Sequence, residues 1–503
     1  MRKHAKKIIF SILILSVLGS FLVFKNINSA APEDTSVHII TDDDTPTHLV
    51  VNKDSSAIAQ PNILFIVVDD LRTELGCYGA EHIKSPNIDR LANEGTLFQR
   101  AYCNIPVCGA SRASILSGLR PTRDRFLNYE SRADKEAPEA VTLPKYLKDN
   151  GYQTISNGKV FHHIEDSQDS WSEIWRPDSN GKTYRDYVLS ENIKKDKKLT
   201  GAAAYERTDV EDNVYMDGKI AEKVIEDLRK LSKSNKPFFL TAGFLKPHLP
   251  FNAPEKYWKL YDEKVRLPYN NYPPENAPKE SLHNFIELRS YSDIPYLGSI
   301  EDDMALKLIH GYYACVSYTD AQVGKVLDEL KKLQLEKNTI VVLLGDHGWN
   351  LDEHGLWCKT ANYETSLHTP LIIRVPGKDQ VGSTNEIVEF VDIYPTLCKL
   401  AGLDLPNHLQ GESFKDLLFD PNAKSDGIAI SQMKSGVTTI KENFFYTEWI
   451  DDEDKSYARM LYDHNVDKDE NYNISEQPKS ASVVQELSND MRNKRGENYF
   501  KNN

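Results

Sequence analysis

Two almost unbroken apolar runs, Asn62-Ile-Leu-Phe-Ile-Val-Val68 and Thr339-Ile-Val-Val-Leu-Leu344, constrain the fold of this chain more than any other feature. Neither alternates apolar with polar residues, so neither suits a strand with one wet face. Both suit parallel strands buried on both faces, with helices above and below the sheet. Each run stops in acidic sequence: Asp69-Asp70 follows the first, and Gly345-Asp346-His347-Gly348 the second. In an open α/β sheet ligands bind outside the carboxyl ends of the strands, so both clusters are expected on one rim. Carboxylates gathered there would repel one another unless a cation neutralised them, and hard oxygen ligands favour Ca2+ or Mg2+. A single Asp at a strand end is more simply a cap or turn former; the pair taken with the second cluster points to a metal.

The remaining patterns alternate as an α/β protein should. Helical spacing runs over Ile88 to Phe98, Leu143 to Asn150 and Asp320 to Leu333; strands are expected over Pro237 to Ala242 and His368 to Pro376, and a helix begins within Val388 to Leu397. Between Asp166 and Asp212, and between Pro268 and Ser292, the chain is polar and rich in Pro, Asn and Tyr. Long insertions of this kind commonly form pocket walls. After about Gly427 the pattern changes to short strands and turns, including Phe444 to Trp449 and Met460 to His464. The length of 503 residues exceeds one ordinary domain, and 40% apolar with 27% charged residues is a globular composition. The net charge of −14 excludes a broad basic groove for a long polyanion, and no nucleic-acid module or internal repeat is present. A local positive pocket stays compatible with that charge.

At the start, Arg2-Lys3-His4-Ala5-Lys6-Lys7 precedes an apolar stretch from Ile8 to Phe24, and Ser29-Ala30-Ala31 offers a small-residue cleavage site. This reads as an export signal over residues 1–31, giving a periplasmic or secreted protein, with an uncleaved membrane anchor as the alternative. Residues 32–60, with Asp42-Asp43-Asp44, read as a polar linker. Six cysteines in so long a chain do not make a disulfide framework, although Cys77 and Cys103 could pair.

Cys108 is the most telling of the six. It lies in Pro106-Val-Cys-Gly-Ala-Ser-Arg112, just ahead of an apolar helical pattern, which places a sulfur at a helix start with an arginine four residues on. A helix N-terminus with such an arginine can hold a sulfate or phosphate; the simpler alternative is a buried structural cysteine. The longer stretch Cys108-Gly-Ala-Ser-Arg112-Ala-Ser-Ile-Leu-Ser-Gly118 resembles the signature of type I sulfatases. Tyr313 to Gly324 and Asp346-His-Gly-Trp-Asn-Leu-Asp-Glu-His-Gly-Leu-Trp-Cys-Lys359 resemble the iduronate-2-sulfatase branch of that family. The segment Arg123 to Arg132 departs from the branch's pattern, which leaves the sugar open.

The resemblance implies an α/β, alkaline-phosphatase-like fold with a large, mixed but mainly parallel sheet flanked by helices. A catalytic domain over 61–426 would be followed by a C-terminal subdomain over 427–503 with a short antiparallel sheet. It further implies that Cys108 is oxidised to formylglycine by a formylglycine-generating or sulfatase-maturating enzyme. Asp69, Asp70, Asp346 and His347, with the modified Cys108, would hold one Ca2+ ion. Arg112, Lys159 and Lys359 would neutralise the sulfate of a sulfated saccharide substrate. His162 would help the formylglycine diol collapse, and His248 would protonate the departing alcohol. Trp349 offers a sugar-stacking platform, or else a core residue. The competing expectations are a phosphoryl-ester hydrolase of the same superfamily and a non-catalytic glycan-binding relative.

Overall fold

A computed structural model describes residues 60–177, 184–198, 201–377 and 382–496. The leader and all but the last residue of the linker expected over 32–60 lie outside them. Among the described residues no helix is long and apolar enough to cross a membrane.

The strands of the large sheet in chain order are β1 Asn62–Val68, β2 Thr96–Tyr102, β3 Gln153–Gly158, β4 Glu173–Trp175, β5 Phe238–Phe244, β6 Thr339–Gly345, β7 Leu371–Arg374 and β8 Ser383–Glu389. They form one sheet in the order β8-β2-β7-β6-β1-β5-β3-β4. Strand β7 runs antiparallel to β2 and β6, whereas the other pairings are parallel. Every residue of β1, β5 and β6 is buried, as the unbroken apolar runs require. Side chains of a strand alternate between its faces, and β1 shows the result. Leu64, Ile66 and Val68 enter one core, while Ile63, Phe65 and Val67 enter the other.

The first core is closed by helices α1 Pro86–Glu94, α2 Met216–Leu231 and α3 Asp302–Lys332, through Ile88, Ile220, Val224, Tyr312 and Val316. The second is closed by the helices Cys108–Ser117, Leu143–Asp149 and Ile393–Leu400, through Ala113, Leu147 and Leu397. The result is a helix-sheet-helix sandwich.

Three boundaries differ from the sequence reading. The pattern from Ile88 to Phe98 is two elements, because Gly95 ends α1 and Thr96 opens β2. Val388 and Glu389 end strand β8 before the next helix starts at Ile393. Helix α3 begins at Asp302, well ahead of the expected Asp320.

After Gly427 four antiparallel strands, β9 Ile428–Met433, β10 Gly436–Lys441, β11 Phe444–Ile450 and β12 Ser456–Asp463, pair in sequence order. One face of this small sheet gives Phe445, Met460 and Tyr462 to the second core of the large sheet. The other gives Tyr446 and Leu461 to a separate cluster with Val484 and Leu487 of the helix Ala481–Arg495. A buried ion pair adds a polar tie: Glu389 at the end of β8 accepts from Arg120 and lies 3.1 Å from Lys494 Nζ of that last helix.

Candidate active site

The parallel register delivers four segments to one rim. Val68 lies opposite both Phe244 and Gly345, and Gly158 lies opposite Gly243, so β1, β3, β5 and β6 end level. The chain beyond each end carries Asp69-Asp70, Lys159 with His162, the turn to His248, and Asp346-His347. The close approach needs glycine: at Gly158, where φ is +74°, a Cβ would meet the Gly243 carbonyl oxygen at 2.2 Å.

Cys108 is the first residue of its helix and only 2% exposed. The two residues that follow its motif glycine and alanine lock that helix to the Asp346 loop. Ser111 Oγ donates to the Asp346 carbonyl at 2.6 Å, and Arg112 Nε donates to Asp346 Oδ2 at 2.8 Å. Arg112 Nη2 also donates to Asp69 Oδ1 at 2.9 Å, and Nη1 to the carbonyls of Lys159 and Val160. Arg112 is 1% exposed and spent on these partners, so it braces the carboxylates and is not free to grip a sulfate as the sequence suggested. Its fork-shaped guanidinium suits that bridging task.

Asp70 adopts a left-handed φ of 62°, held because Tyr312 Oη donates to its carbonyl at 2.8 Å and accepts from Arg72 N at 3.0 Å. Asp70 N in turn donates to Asp346 Oδ1 at 3.0 Å. The turn aims the Asp70 carboxylate into the site, 3.8 Å from Cys108 Sγ. His347 Nε2 lies at the focus, 3.3 Å from Cys108 Sγ, 3.5 Å from Asp70 Oδ1 and 3.7 Å from Asp346 Oδ1. Ligand atoms of Asp69, Asp70, Cys108 and His248 lie within 4.8 Å of one another, as do those of Cys108, Asp346 and His347. All these groups are buried; Asp69 and Asp70 fall in the first group and Asp346 in the second, and carboxylates gathered so closely suit a hard divalent cation, with the two imidazole nitrogens and the sulfur as softer donors.

Cations close the ring. Lys159 Nζ pairs with Asp69, Lys359 Nζ with Asp70 Oδ2 at 3.2 Å, and His248 Nε2 lies 4.0 Å from Asp70 Oδ2. Burial opposes ionisation of Cys108, but Lys159, Lys359 and His347 outweigh it and hold its thiol well below the usual range. The other five cysteines are unpaired, Cys77 and Cys103 included, and burial pushes their thiols up. His347 is raised to about 9 because Asp346 and Cys108 overcome its burial. His162, beside Cys108, is lowered to about 4 by burial and by Lys159, and its Nδ1 is buried without a partner. His248 is raised well above its ordinary value, Asp70 overcoming burial with Glu287 adding to the effect.

The Sulfatase family model matches residues 61–403, and that of the N-sulphoglucosamine sulphohydrolase C-terminal region matches 352–497. Human iduronate 2-sulfatase is 37% identical over 70% of this chain and 71% of its own. The chain belongs to the sulfatase family. A sulfatase of Formosa agariphila is 30% identical over 86% of both chains. Among solved structures, that of BT4656 in complex with its substrate D-glucosamine-2-N,6-O-disulfate superposes with a TM-score of 0.70 at 24% identity, covering 88% of this chain and 99% of that one, a likeness of fold. The protein is therefore a sulfuric ester hydrolase by family, and its mixed, mainly parallel sheet with a small antiparallel one is the sulfatase fold.

Within this sulfatase the structure gathers Asp69, Asp70, Cys108, Arg112, Lys159, His162, His248, Asp346, His347 and Lys359 at one rim. Trp349 is the exception to its expected use. It is fully buried, stacked on Tyr312 with ring planes 15° apart, and its ring backs Lys359 Nζ at 4.9 Å. It supports a cation and offers no face to a sugar. Exposed rings near the site are those of Tyr184, half exposed and edge-on to His248 at 5.7 Å, and Tyr129, 6.3 Å from the His162 ring.

Sequence reading also passed over three polar residues. Asp217, near the start of α2, accepts from the backbone N–H of Leu245 and Lys246, each at 2.8 Å. Lys246 Nζ donates to the carbonyls of His248 and Pro250, at 2.8 and 2.6 Å, so together they shape the turn that presents His248. The third is Glu287, whose carboxylate touches both His248 and Lys359. Only the Leu245-Lys-Pro-His-Leu-Pro250 spacing signalled any of them in advance.

Proposed function

We propose that this sulfatase removes sulfate from a sulfated sugar, with formylglycine made from Cys108 as nucleophile and Ca2+ held by Asp69, Asp70, Asp346, His347 and the modified residue. The carrying observation is a single sulfur at a helix start, facing Asp70 and His347 and ringed by Lys159 and Lys359. The names of the human relative and of the glucosamine disulfate complex support a sulfated saccharide as substrate. Ca2+ would supply charge stabilisation and lower the pKa of a hydroxyl bound beside it. A formylglycine hydrate supplies one hydroxyl that attacks sulfur and a second whose deprotonation expels sulfate by return to the aldehyde, a turnover open to neither thiol nor serine.

The chain's own groups fit the remaining tasks. Lys159 and Lys359 offset charge on the equatorial sulfate oxygens. His248, held cationic beside Asp70 and Glu287, gives a proton to the departing alcohol oxygen as the S–O bond breaks. His162, neutral at pH 7 and set against position 108, takes the proton whose loss releases sulfate. In this reading residues 61–426 form the catalytic domain and 427–503 the C-terminal subdomain. The protein is exported under its N-terminal signal, cleaved or kept as an anchor, and depends on a formylglycine-generating enzyme.

The test is the mass of the tryptic peptide Ala101 to Arg112 from protein made with such an enzyme, followed by assays with an aryl sulfate and an aryl phosphate. The expected result is formylglycine at position 108 and turnover of the sulfate. Unmodified Cys108 beside an active modifying enzyme, or preference for the phosphate, overturns the proposal.

A further inference from the structure

Glu287 stands over the site on a single helical turn, Ile286–Arg289, within the insertion that follows Pro268. Its Oε1 lies 3.0 Å from His248 Nε2 and 3.0 Å from Lys359 Nζ, and its Oε2 lies 2.7 Å from the same Nζ. The two cations are 11% and 5% exposed in their side chains whereas Glu287 is 30% exposed, so its carboxylate is the outermost of the charged groups. The turn that carries it is fastened from both sides. Leu288 is buried, and Arg289 donates to Asn284 Oδ1, Pro295 O and Gly298 O while lying 4.1 Å over the Phe285 ring. These contacts fix the turn and so keep Glu287 at the mouth of the site.

Its place decides which sugars fit. His248 Nε2 is the atom that would meet the ester's bridging oxygen, so the sugar ring bonded to that oxygen must lie against Glu287. The placement of charge gives the consequence. Arg112 bridges Asp69 and Asp346, and Lys359 and His248 stand between Asp70 and Glu287. The sulfate lies inward of Glu287, so the sugar meets that carboxylate first. A uronate carboxylate on the same sugar would bring a further anion beside Glu287 in a poorly solvated cleft, where like charges repel strongly. A hydroxyl or an ammonium group would instead donate to it.

We propose that Glu287 is a specificity-determining residue that turns the site against sulfated uronates and towards sulfated neutral or amino sugars, discriminating by repulsion as much as by attraction. The inference rests on the sulfatase reading above. Its test changes the charge on the ligand with little change of shape. A 2-O-sulfated uronate glycoside and its methyl ester compete against aryl sulfate hydrolysis by the formylglycine form of the protein. The ester is expected to compete at least about tenfold better than the free acid, and Glu287→Gln to bring the two within about threefold. Equal competition by the pair in the unaltered enzyme, or an unchanged ratio in Glu287→Gln, overturns the proposal. Failure to hydrolyse aryl sulfate at all would instead sink the sulfatase reading. Calorimetric binding of the same pair to the Cys108 form then puts the charge question without turnover, with equal affinities counting against Glu287. Should Glu287→Gln not fold, the ratio in the unaltered enzyme decides alone.

Discussion

Replacing Arg112 separates a brace from a sulfate ligand. The guanidinium is 1% exposed and bridges Asp69 and Asp346, both of them buried, while also donating to the carbonyls of Lys159 and Val160. Arg112→Ala removes a charge partner from two carboxylates that cannot reach water and leaves a cavity between the nucleophile helix and the rim. Breaking a buried ion pair from one side costs about 3–5 kcal/mol. Part of that loss is offset here, since Asp69 keeps Lys159, and Asp346 keeps the backbone N–H of Asp70 and His347. Unfolding entropy scales with chain length, so for a compact unit of this size each kcal/mol lowers the thermal midpoint by about 1 °C, and the expected shift is at most roughly 3–5 °C. Arg112→Lys keeps the charge, but one ammonium cannot span both carboxylates in the fork geometry, and about half of the loss is expected to remain. Differential scanning calorimetry with and without a chelator reads the effect, and inhibition by free sulfate ion reads the alternative. A bracing Arg112 lowers the midpoint of both variants, with and without bound metal. Midpoints of both variants within about 1 °C of the parent, with sulfate inhibition lost, would refute the reasoning and return Arg112 to the sulfate.

Tyr184→Ala should raise KM for a saccharide substrate several-fold with little change in kcat, because the half-exposed ring flanks His248. Trp349→Ala, which empties a buried site and leaves Lys359 unsupported, should cost about 3–5 kcal/mol of stability, read as a lower thermal midpoint. Chelation of a bound divalent ion should lower the thermal midpoint of the unaltered protein, since the buried carboxylates then lose their compensating charge, and the shift should grow with the concentration of Ca2+ restored. At Asp212, burial raises the carboxyl pKa, but hydrogen bonds from Lys256, Lys325 and Gln322 win and lower it from 3.8 to about 2. A depressed folded-state value means that stabilisation is complete above the unfolded pKa and fades as pH falls through the folded one, so the roughly 2 kcal/mol involved is lost between about pH 4 and pH 2. Asp212→Asn should therefore have a lower midpoint than the parent at pH 7 and a gap that narrows only below about pH 4; a gap constant from pH 6 to pH 3 would contradict the assignment.

What could be read in advance from the chain divides along a physical line. Strands β1 and β6 announced themselves because burial on both faces leaves a composition that little else explains, and their ends placed Asp69, Asp70, Asp346 and His347 on one rim before any contact was known. Helix α3 was legible only from Asp320 onward. Its earlier residues, from Leu308 to Thr319, are buried almost throughout, and a helix enclosed on most sides shows no polar stripe to mark its period. The misreadings at the site have a different origin. Arg112 was placed at the site, yet a cation's position does not name the anion it serves. That choice is made by Asp346, 234 residues away. Trp349 sits two residues past His347 in a motif-bearing loop, and only the fold turns it inward onto Tyr312. Glu287 carries no motif, and an acidic side chain in a polar insertion is ordinarily a solvated surface group. It becomes informative only because Arg289, two residues on, ties its helical turn to the neighbouring loop, so that the carboxylate meets His248 and Lys359. The groups proposed for catalysis are thus written in local motifs that recur wherever the chemistry recurs. The sugar preference proposed for Glu287 is written in long-range contacts of an insertion, where sequence alone has no period or spacing to offer.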